Sequence, residues 1–309
     1  MEFSMYYFIV NPNSRSGNGI KIWYLVKNEL DSLEVQYTAY FTKHNLHASE
    51  IVQEICESSS GVKNIVVLGG DGTMNEVING IKDYDDVILG YIPSGSSNDL
   101  ARSLNLPKDP IKSLKNILTP NRFQYVDTGC VNSNDLQRKF AVSCGLGFDA
   151  KICVVTNRSK LKKVLNKFGL GKLTYIMITL KELMFTPFMD AELIIDNKIS
   201  KSYKQVLFIT SMIHKYEGGG LKFTPDADPY DGKLSVCMAH GLSRLKVLFM
   251  LPTLLFGKHT GLKGIEIFDC KTLDITVDKP ASIHFDGEAP GELNQIKLSC
   301  TPKQLRIIK

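Results

Sequence analysis

The chain has 309 residues, 43% of them hydrophobic and 22% charged, which is the composition of a soluble globular protein with a sizeable core. This length excludes one small domain and suits two domains of ordinary size. The formal net charge of +5 fits an anionic ligand or an anionic membrane surface, but by itself it gives no argument for nucleic acid binding.

The seven cysteines are scattered along the chain, and no two of them form a CxxC pair. This pattern predicts reduced thiols in a cytoplasmic protein, with neither a zinc site nor a disulfide framework. The apolar run at residues 5–10 is too short for a signal peptide, and no segment has the apolar length that spans a bilayer. We therefore expect a cytoplasmic protein that is soluble or peripherally associated with the inner face of the cell membrane.

The first third of the chain alternates strand and helix patterns. Strands are predicted at residues 6–10, 35–41, 64–68 and 87–92. Helices are predicted at residues 20–30, 48–57, 98–104 and 111–118, and one more begins after Gly72. This alternation predicts an α/β domain with a parallel sheet and helices on both faces.

From about residue 124 the pattern changes to short strands separated by polar turns. The strand-like segments are residues 123–131, 139–144, 191–196, 205–211, 234–239, 273–277 and 281–285. They predict a mostly antiparallel β domain, a sandwich or a flattened barrel, over residues 126–294. The last segment, residues 304–308, can return to the first sheet, so the first domain is expected to comprise residues 1–125 plus 295–309.

Residues 161–185 interrupt the β pattern with an amphipathic helix that has Leu173, Met177, Leu180 and Met184 at apolar positions. Six basic residues lie just before it or at its start: Arg158, Lys160, Lys162, Lys163, Lys167 and Lys172. Two interpretations stay open. The helix packs on the sheet with a solvated basic face, or it forms a basic, apolar docking surface for an anionic membrane.

The segment Gly69-Gly70-Asp71-Gly72-Thr73 lies where a predicted buried strand ends and a helix begins. Glycine lets the backbone approach a ligand closely, and a helix N-terminus offers free N–H groups to a phosphate. An aspartate beside a phosphate is otherwise repulsive, so we expect Asp71 to handle Mg²⁺ or a proton. The alternative is a glycine-rich turn with an N-cap aspartate.

Two further polar loops follow predicted strands: residues 11–19 (NPNSRSGNG) and residues 93–102 (PSGSSNDLAR). Because open α/β sheets bind ligands at the carboxyl ends of their strands, the three loops together predict a ligand site at this edge. Neither loop is a Walker A motif, since GxxxxGK[ST] is absent. Ser97 or Asn98 is expected to be the N-cap of the helix that follows.

Two acidic segments occur in the β half. Asp226, Asp228 and Asp231 lie on one turn, which suits either a hard cation with oxygen ligands or an ordinary hairpin turn. Asp286 and Glu288 follow the strand at residues 281–285. Paired carboxylates can act as a general base and a metal partner, and the alternative is a solvated hairpin turn.

The segment at residues 145–150 (GLGFDA) matches the dinucleotide-binding fingerprint. That fingerprint expects an acidic residue about 20 positions further on. Residues 151–181 contain no Asp or Glu, so the dinucleotide interpretation fails.

Taken in order, the segments NPNSRSGNG, GGDGTMNEVING, PSGSSNDLARSL, GLGFDA, DPYDGKLSV and FDGE resemble bacterial lipid kinases of the diacylglycerol kinase family along nearly the whole chain. GGDGT alone is shared with NAD kinases and some phosphofructokinases, whereas PSGSSNDLAR with a terminal DGE is more specific. Ser96 stands where many relatives carry threonine and keeps the hydroxyl. The resemblance implies a NAD-kinase-like α/β domain, a β-sandwich lipid-substrate domain, and an enzyme that transfers the γ-phosphate of ATP, with Mg²⁺, to the hydroxyl of diacylglycerol or a related lipid.

The resemblance also implies roles for particular residues. The nucleotide site would be lined by Asn11, Pro12, Asn13, Ser14, Arg15, Thr42, Gly69, Gly70, Asp71, Gly72, Thr73, Met74, Asn75 and Ser96. Asp231 would hold a metal ion, helped by backbone oxygens of Asp228 and Lys233. Glu288 or Asp286 would take the proton from the acceptor hydroxyl, and Asp71 would complete the catalytic set.

Two other functions remain as alternatives: a soluble-substrate kinase similar to NAD kinase, and a non-catalytic nucleotide-binding sensor. PSGSSNDLAR and the basic amphipathic segment argue against the first. The four intact carboxylates argue against the second: Asp71, Asp231, Asp286 and Glu288. The expected partner is a lipid substrate at an anionic membrane surface, with no nucleic acid, and a homodimer through an exposed strand edge is left open.

Overall fold

The computed structural model describes residues 5–58, 61–120, 122–133, 136–158 and 171–309, without the side chains of residues 157–158 and 171–175. The chain divides into two compact units. The first unit comprises Met1–Asp127 with Lys303–Lys309, and the second comprises Thr128–Pro302. Residues 295–302 therefore lie in the second unit and not, as predicted, in the first.

The first unit is built on parallel strands. Its strands are β1 (Tyr6–Val10), β2 (Tyr37–Phe41), β3 (Lys63–Gly69) and β4 (Val87–Pro93). Its helices are α1 (Ser14–Ser32), α2 (His47–Ser58), α3 (Asp71–Gly80), α4 (Asp99–Ser103) and α5 (Pro110–Leu118). The strand order is β2-β1-β3-β4 with parallel pairing throughout. Ile307 pairs in parallel with Leu89 of β4, so the C-terminal segment returns to this sheet as predicted.

Both faces of this sheet are covered. On one face, Phe8 of β1 packs in a cluster with Trp23 of α1 and Leu114 of α5. Ile9 and Val67 point to the opposite face, because successive strand residues alternate, and both are also fully buried. Because both faces are buried, the sequences of these strands are continuous apolar runs.

The second unit contains most of the antiparallel pairing. Its strands are β5 (Phe123–Ser133, which starts in the first unit), β6 (Leu136–Phe140), β7 (Ser143–Gly147), β8 (Met189–Ile195), β9 (Ile199–Met212), β10 (Leu234–His240), β11 (Ile265–Cys270), β12 (Thr272–Phe285) and β13 (Glu288–Ile308, which ends in the first unit). Its helices are α6 (Phe148–Arg158), α7 (Gly171–Phe185) and α8 (Arg244–Leu254).

The long strands β9 and β12 both pair with the shorter strands β7 and β8. Their first halves pair with β8, and their second halves pair with β7. The sheet therefore divides into two layers, with a large apolar cluster that includes Phe140, Leu193, Leu273 and Phe285. This agrees with the sandwich that the strand pattern predicted.

The structure differs from the predicted secondary structure in the following elements. The predicted strand at residues 139–144 is two strands, β6 and β7, because the backbone N–H groups of Ala141 and Val142 donate to Asp286 instead of to a neighbouring strand. The helices α6 and α8 and the strand β11 were not predicted. In α8, apolar residues occur on the exposed as well as the buried side, as with Phe249 and Met250, so no one-sided pattern marks it. The seven cysteines, all of which lie in the described part of the chain, are not joined by disulfide bonds.

Candidate functional site

The three polar loops of the first unit meet at the carboxyl ends of β1, β3 and β4. The Asn11 side-chain amide donates to the Thr73 hydroxyl (3.0 Å), and the hydroxyl oxygens of Ser14 and Ser94 lie 2.7 Å apart. The backbone N–H of Ser94 donates to the carbonyl of Gly69 (2.7 Å). These contacts confirm that the loops form one cluster, which we call the loop cluster.

Two glycines allow the loop cluster to close. A Cβ placed on Gly70 would lie 3.1 Å from the Cα of Gly95, and a Cβ on Gly95 would lie 2.6 Å from the Cα of Gly70. Only two residues without side chains can bring the backbones this close. The glycines of both motifs are therefore required by the approach of one loop to the other.

Asp71 lies at the start of α3, and its carboxylate faces the start of another helix. One carboxylate oxygen accepts the N–H of Asp99 (3.0 Å) and the other accepts the N–H of Leu100 (3.2 Å), the first two residues of α4. Asp71 therefore accepts the N–H groups that an N-cap side chain normally accepts. Its negative charge also interacts favourably with the positive end of the α4 dipole. Its expected role toward Mg²⁺ or a proton stays a prediction.

Asn98 occupies the N-cap position of α4 without making the cap hydrogen bond. Its side chain instead bonds both backbone groups of Gly95: Oδ1 accepts the N–H (2.9 Å) and Nδ2 donates to the carbonyl (3.0 Å). The N-cap role predicted for Asn98 or Ser97 is thus taken by Asp71. Asn98 adopts a left-handed backbone (φ 52°), which asparagine tolerates better than most residues, and it fixes the loop after β4.

The loop after β1 carries three consecutive left-handed residues, Arg15 (φ 46°), Ser16 (φ 59°) and Gly17 (φ 89°). For residues with a Cβ this conformation costs about 1–2 kcal/mol each, and strain of this kind concentrates at functional sites. The regular part of α1 starts after Gly17, close to the predicted start at residue 20. Arg15 is exposed, so the strained turn presents a cationic side chain to solvent.

The other predicted nucleotide-binding residues differ in accessibility. Thr42 is at the same sheet edge, because its N–H donates to the carbonyl of Val10 at the end of β1 (2.9 Å). Ser96 is exposed in the loop after β4. Met74 and Asn75 are fully buried, so their side chains present no surface to a ligand. Contacts of these two residues with a nucleotide would therefore come from the backbone, and their place in the nucleotide site stays a prediction.

The acidic turn of the second unit is organised by local hydrogen bonds. Asp228 accepts the N–H of Tyr230 (3.1 Å) and Asp231 accepts the N–H of Lys233 (3.0 Å). The second carboxylate oxygen of Asp231 lies 3.6 Å from the Lys233 ammonium. These are Asx-turn contacts and not those of a hairpin, because β9 ends at Met212 and no strand among the described residues leads into the turn. They leave oxygen donors of the type that a hard cation prefers. The metal site at Asp231, Asp228 and Lys233 stays a prediction.

The carboxylate of Asp286 is a structural anchor. It accepts three backbone N–H groups, from Ala141 (2.8 Å), Val142 (2.7 Å) and Ser143 (2.9 Å). Asp286 has a left-handed backbone (φ 47°) and starts the tight turn between β12 and β13. Glu288, two residues later, is exposed on the far side of this turn. The two carboxylates therefore differ in environment although they are close in sequence.

A buried cluster lies next to this turn. The Nε2 atom of His284 is 2.8 Å from Glu217 Oε1 and 3.4 Å from Asp149 Oδ2, and Thr210 donates its hydroxyl to Asp149. The N–H of Gly287, between Asp286 and Glu288, points at His284 Nδ1 (3.3 Å). The imidazole thus connects the turn to two carboxylates; we call His284, Glu217 and Asp149 the buried triad.

The triad determines where its histidine carries a proton. Burial alone would lower the pKa of His284, but Cys153, Glu217 and Asp149 raise it well above its ordinary value. The Nε2 atom, which faces the two carboxylates, therefore carries a proton. The three side chains are close enough for one metal ion, and among the residues described His44, His47 and Glu50 form the one other group of this kind.

Sequence reasoning did not find this triad, but a signal was present in the GLGFDA segment. A Cβ on Gly145 would lie 2.0 Å from Asp149 Oδ2 and 2.4 Å from His284 Nε2. The first glycine of the segment is therefore required by the triad, and its aspartate is a member. This assigns the segment a role other than dinucleotide binding.

The basic docking residues can be located only in part. Lys160, Lys162, Lys163 and Lys167 lie outside the described residues, and Arg158 and Lys172 lie in α6 and α7 without described side chains. Within the part of the chain that the structure describes, no helix combines the length and apolar character needed to cross a membrane.

Comparisons with known proteins agree with this arrangement of units. Residues 5–131 match the model of the diacylglycerol kinase catalytic domain, and residues 142–309 match that of the YegS C-terminal NAD kinase beta sandwich-like domain. A Bacillus subtilis (strain 168) protein named "Putative lipid kinase YtlR" is 30% identical over 98% of this chain and 99% of its own length. A Mycobacterium tuberculosis protein named diacylglycerol kinase is 27% identical over 81% of this chain and 78% of its own.

The fold is also found in solved structures. A crystal structure of a Bacillus anthracis protein, described as a "putative diacylglycerol kinase", superposes with a TM-score of 0.78 at 19% identity, covering all of this chain and 96% of that one. The fold is thus that of two-domain kinases with a β-sandwich-like C-terminal part. The chain belongs to the diacylglycerol kinase family of lipid kinases.

Proposed function

We propose that the protein is an ATP-dependent lipid kinase that transfers the γ-phosphate to the hydroxyl of diacylglycerol or a closely related lipid. The observation that carries the proposal is the loop cluster, in which three loops meet at the carboxyl edge of a parallel sheet through a glycine–glycine approach. Backbone N–H groups at the start of α3 are suited to the phosphates of a nucleotide.

Phosphoryl transfer requires mainly positioning and neutralisation of charge. Arg15, exposed on the strained turn after β1, is suited to neutralise part of the phosphate charge. Bound Mg²⁺ would neutralise more of it, and Asp231 with the backbone oxygens of Asp228 and Lys233 is the oxygen donor set proposed to hold a metal ion.

Glu288 is our candidate for the general base that takes the proton from the acceptor hydroxyl. Asp286 is less suited, because both of its carboxylate oxygens already accept backbone N–H groups and hydrogen bonds of this kind keep a carboxylate from acting as a base. Glu288 is exposed and lies on a turn that Asp286 and the buried triad fix from two sides. These contacts support Glu288 over Asp286 as the proposed base.

The acceptor lipid resides in a bilayer, so the proposal includes peripheral association with an anionic membrane surface. The segment at residues 158–185 remains our candidate for part of the contact, through its basic residues. Replacing Lys160, Lys162 and Lys163 with glutamate is expected to weaken binding to anionic vesicles and to leave the affinity for ATP unchanged. Unchanged vesicle binding would exclude this segment from the contact.

The experiment that tests the function is incubation of the purified chain with radiolabelled ATP, Mg²⁺ and mixed micelles that contain one candidate lipid at a time. Label in phosphatidic acid identifies diacylglycerol as the acceptor, and label in another lipid keeps the reaction and changes the substrate. Label in NAD but in no lipid would identify a soluble-substrate kinase. Nucleotide binding without any labelled product would indicate a sensor.

A further inference from the structure

The helices α7 and α8 expose large apolar side chains on their outer sides. On α7 these include Met177, Met184 and Phe185, and on and after α8 they include Leu245, Phe249 and Phe256. Phe249 and Phe185 are each 73% exposed and Phe256 is 69% exposed. We call these six residues the outer apolar face. A patch of this kind in water marks an interaction surface.

The two helices pack on one core and are joined at their ends. Their inner sides share one buried cluster, to which Leu183 of α7 and Val247, Met250 and Leu254 of α8 contribute. Arg244, the first residue of α8, donates from its guanidinium to the carbonyls of Leu183 and Thr186 at the end of α7. The outer apolar face therefore belongs to two helices that contact each other and bury their other sides in the same core.

The charged side chains on α8 and in the loop after it have one sign. Residues 232–265 contain no Asp or Glu, and the exposed lysines Lys246, Lys258 and Lys263 flank Phe249 and Phe256 in the chain. On α7, Lys181 is exposed, whereas Glu182 is buried. Large apolar side chains accompanied by lysines on the same elements are complementary to an anionic lipid bilayer, since the apolar groups enter the acyl boundary and the lysines meet the headgroups.

We propose that the outer apolar face docks on an anionic bilayer, with Phe249 and Phe256 inserted below the headgroups. The inference rests on the proposed function, which requires a lipid acceptor, and it adds a surface on α8 to the basic segment that the sequence indicates. The two helices supply the apolar part of the contact, and the lysines of α8 and of the following loop supply the electrostatic part.

The test is cosedimentation of the full chain with phosphatidylglycerol–phosphatidylcholine vesicles, without nucleotide. The variant F249S/F256S removes two exposed side chains that are members of neither the loop cluster nor the turn at Glu288. We expect vesicle affinity to fall by about tenfold or more, because interfacial binding scales with the apolar area inserted. The matched control is Y24S/L25S, which removes two exposed apolar side chains of α1 and is expected to leave vesicle affinity unchanged.

A second variant, K246E/K258E/K263E, is expected to lose affinity for phosphatidylglycerol vesicles and to show little salt dependence in what remains. Both variants are expected to melt at the temperature of the unmodified chain. Vesicle affinity unchanged in F249S/F256S, or lowered equally in Y24S/L25S, would overturn the proposal. So would a dimer of the unmodified chain that F249S/F256S converts to a monomer without loss of vesicle binding.

Activity on a short-chain, water-soluble diacylglycerol separates this proposal from the proposed function. If F249S/F256S phosphorylates the soluble lipid normally but fails on vesicles, both stand. If the unmodified chain binds vesicles through these phenylalanines but labels no lipid, the docking surface stands and the lipid kinase activity fails. If it labels the soluble lipid and F249S/F256S still binds vesicles fully, the activity stands and the docking surface fails.

Discussion

His284 and Glu217 form a buried ion pair, 2.8 Å long, next to the turn that carries Glu288. Asp149 completes the triad from the first turn of α6, and the N–H of Gly287 contacts the opposite nitrogen of the imidazole. Glu288, the candidate base, therefore lies on a turn that His284 contacts from the interior of the second unit. Removing Glu217 is costly, because the buried Nε2 of His284 then keeps only the more distant Asp149 as a partner.

The first prediction concerns the stability of this pair. Glu217→Ala is expected to lower the free energy of unfolding by about 1–3 kcal/mol, because the buried Nε2 of His284 loses its nearest acceptor and keeps only Asp149. Lys201 and Glu266 also lie 2.8 Å apart, but Lys201 is 44% exposed, so Lys201→Ala is a matched control with an expected loss of less than about 1 kcal/mol. Urea unfolding measures both. Equal losses in the two variants would contradict an essential role of the triad.

The second prediction separates Asp286 from Glu288. Glu288→Gln is expected to lower kcat by about 10²–10⁴-fold with an unchanged melting temperature, because a general base contributes a factor of this size. Asp286→Ala is expected to destabilise the fold by about 3 kcal/mol or more, because three buried N–H groups lose a charged acceptor. Lipid kinase assays and thermal unfolding on both variants measure the difference. A folded Asp286→Ala variant with full stability would contradict the anchor role.

The third prediction concerns the glycine pair of the loop cluster. Gly95→Ala places a Cβ 2.6 Å from the Cα of Gly70, so the two loops must separate. We expect the KM for ATP to rise by about tenfold or more, in line with the 1–3 kcal/mol cost of overpacking. Gly61→Ala is the control for a strained substitution outside the cluster, because the left-handed backbone of Gly61 (φ 80°) disfavours alanine although its Cβ meets no atom within 4 Å. Isothermal titration measures the affinity of both variants for ATP. Equal affinities would contradict a role of the glycine pair in ATP binding.

The fourth prediction is a pH dependence of stability at His214. This side chain is fully buried, and burial followed by the charge of Lys215 lowers its pKa to about 3. An unfolded histidine titrates at about 6.5, so below that pH the unfolded state binds a proton that the folded state excludes. Stability is therefore unaffected above pH 6.5 and decreases as the pH falls, by about 2 kcal/mol at pH 5.

His214→Leu is expected to remove this contribution. Urea unfolding at pH 7 and at pH 5 measures it as a smaller loss of stability in His214→Leu than in the unmodified chain. His240 is only partly buried, so His240→Leu serves as the control and is expected to retain the full acid sensitivity. The same loss in all three proteins would show that His214 is accessible to protons in the folded state.

Elements that have a local pattern in the sequence were predicted correctly. The apolar runs of β1, β3 and β4 and the turns behind them follow from periodicity and glycine placement, so the loop cluster was predicted with its correct strands. The return of the C-terminal segment to the first sheet also followed from its strand pattern. Helix α8 was missed because its exposed side is as apolar as its buried side, and a one-sided pattern is what marks a helix in a soluble domain.

The partners of individual polar groups depend on tertiary packing. Asp71 caps α4 from 28 positions away in the chain, and Asp286 anchors backbone N–H groups more than 140 positions away. The buried triad joins residues from three distant segments, so the GLGFDA segment marks one part of it and no spacing in the sequence indicates its three members together. A residue type and its neighbours fix what a side chain can donate or accept, whereas its partner is fixed by the packing of distant segments. For that reason the sequence identified the acidic residues, and the fold distinguished the structural carboxylate from the candidate base.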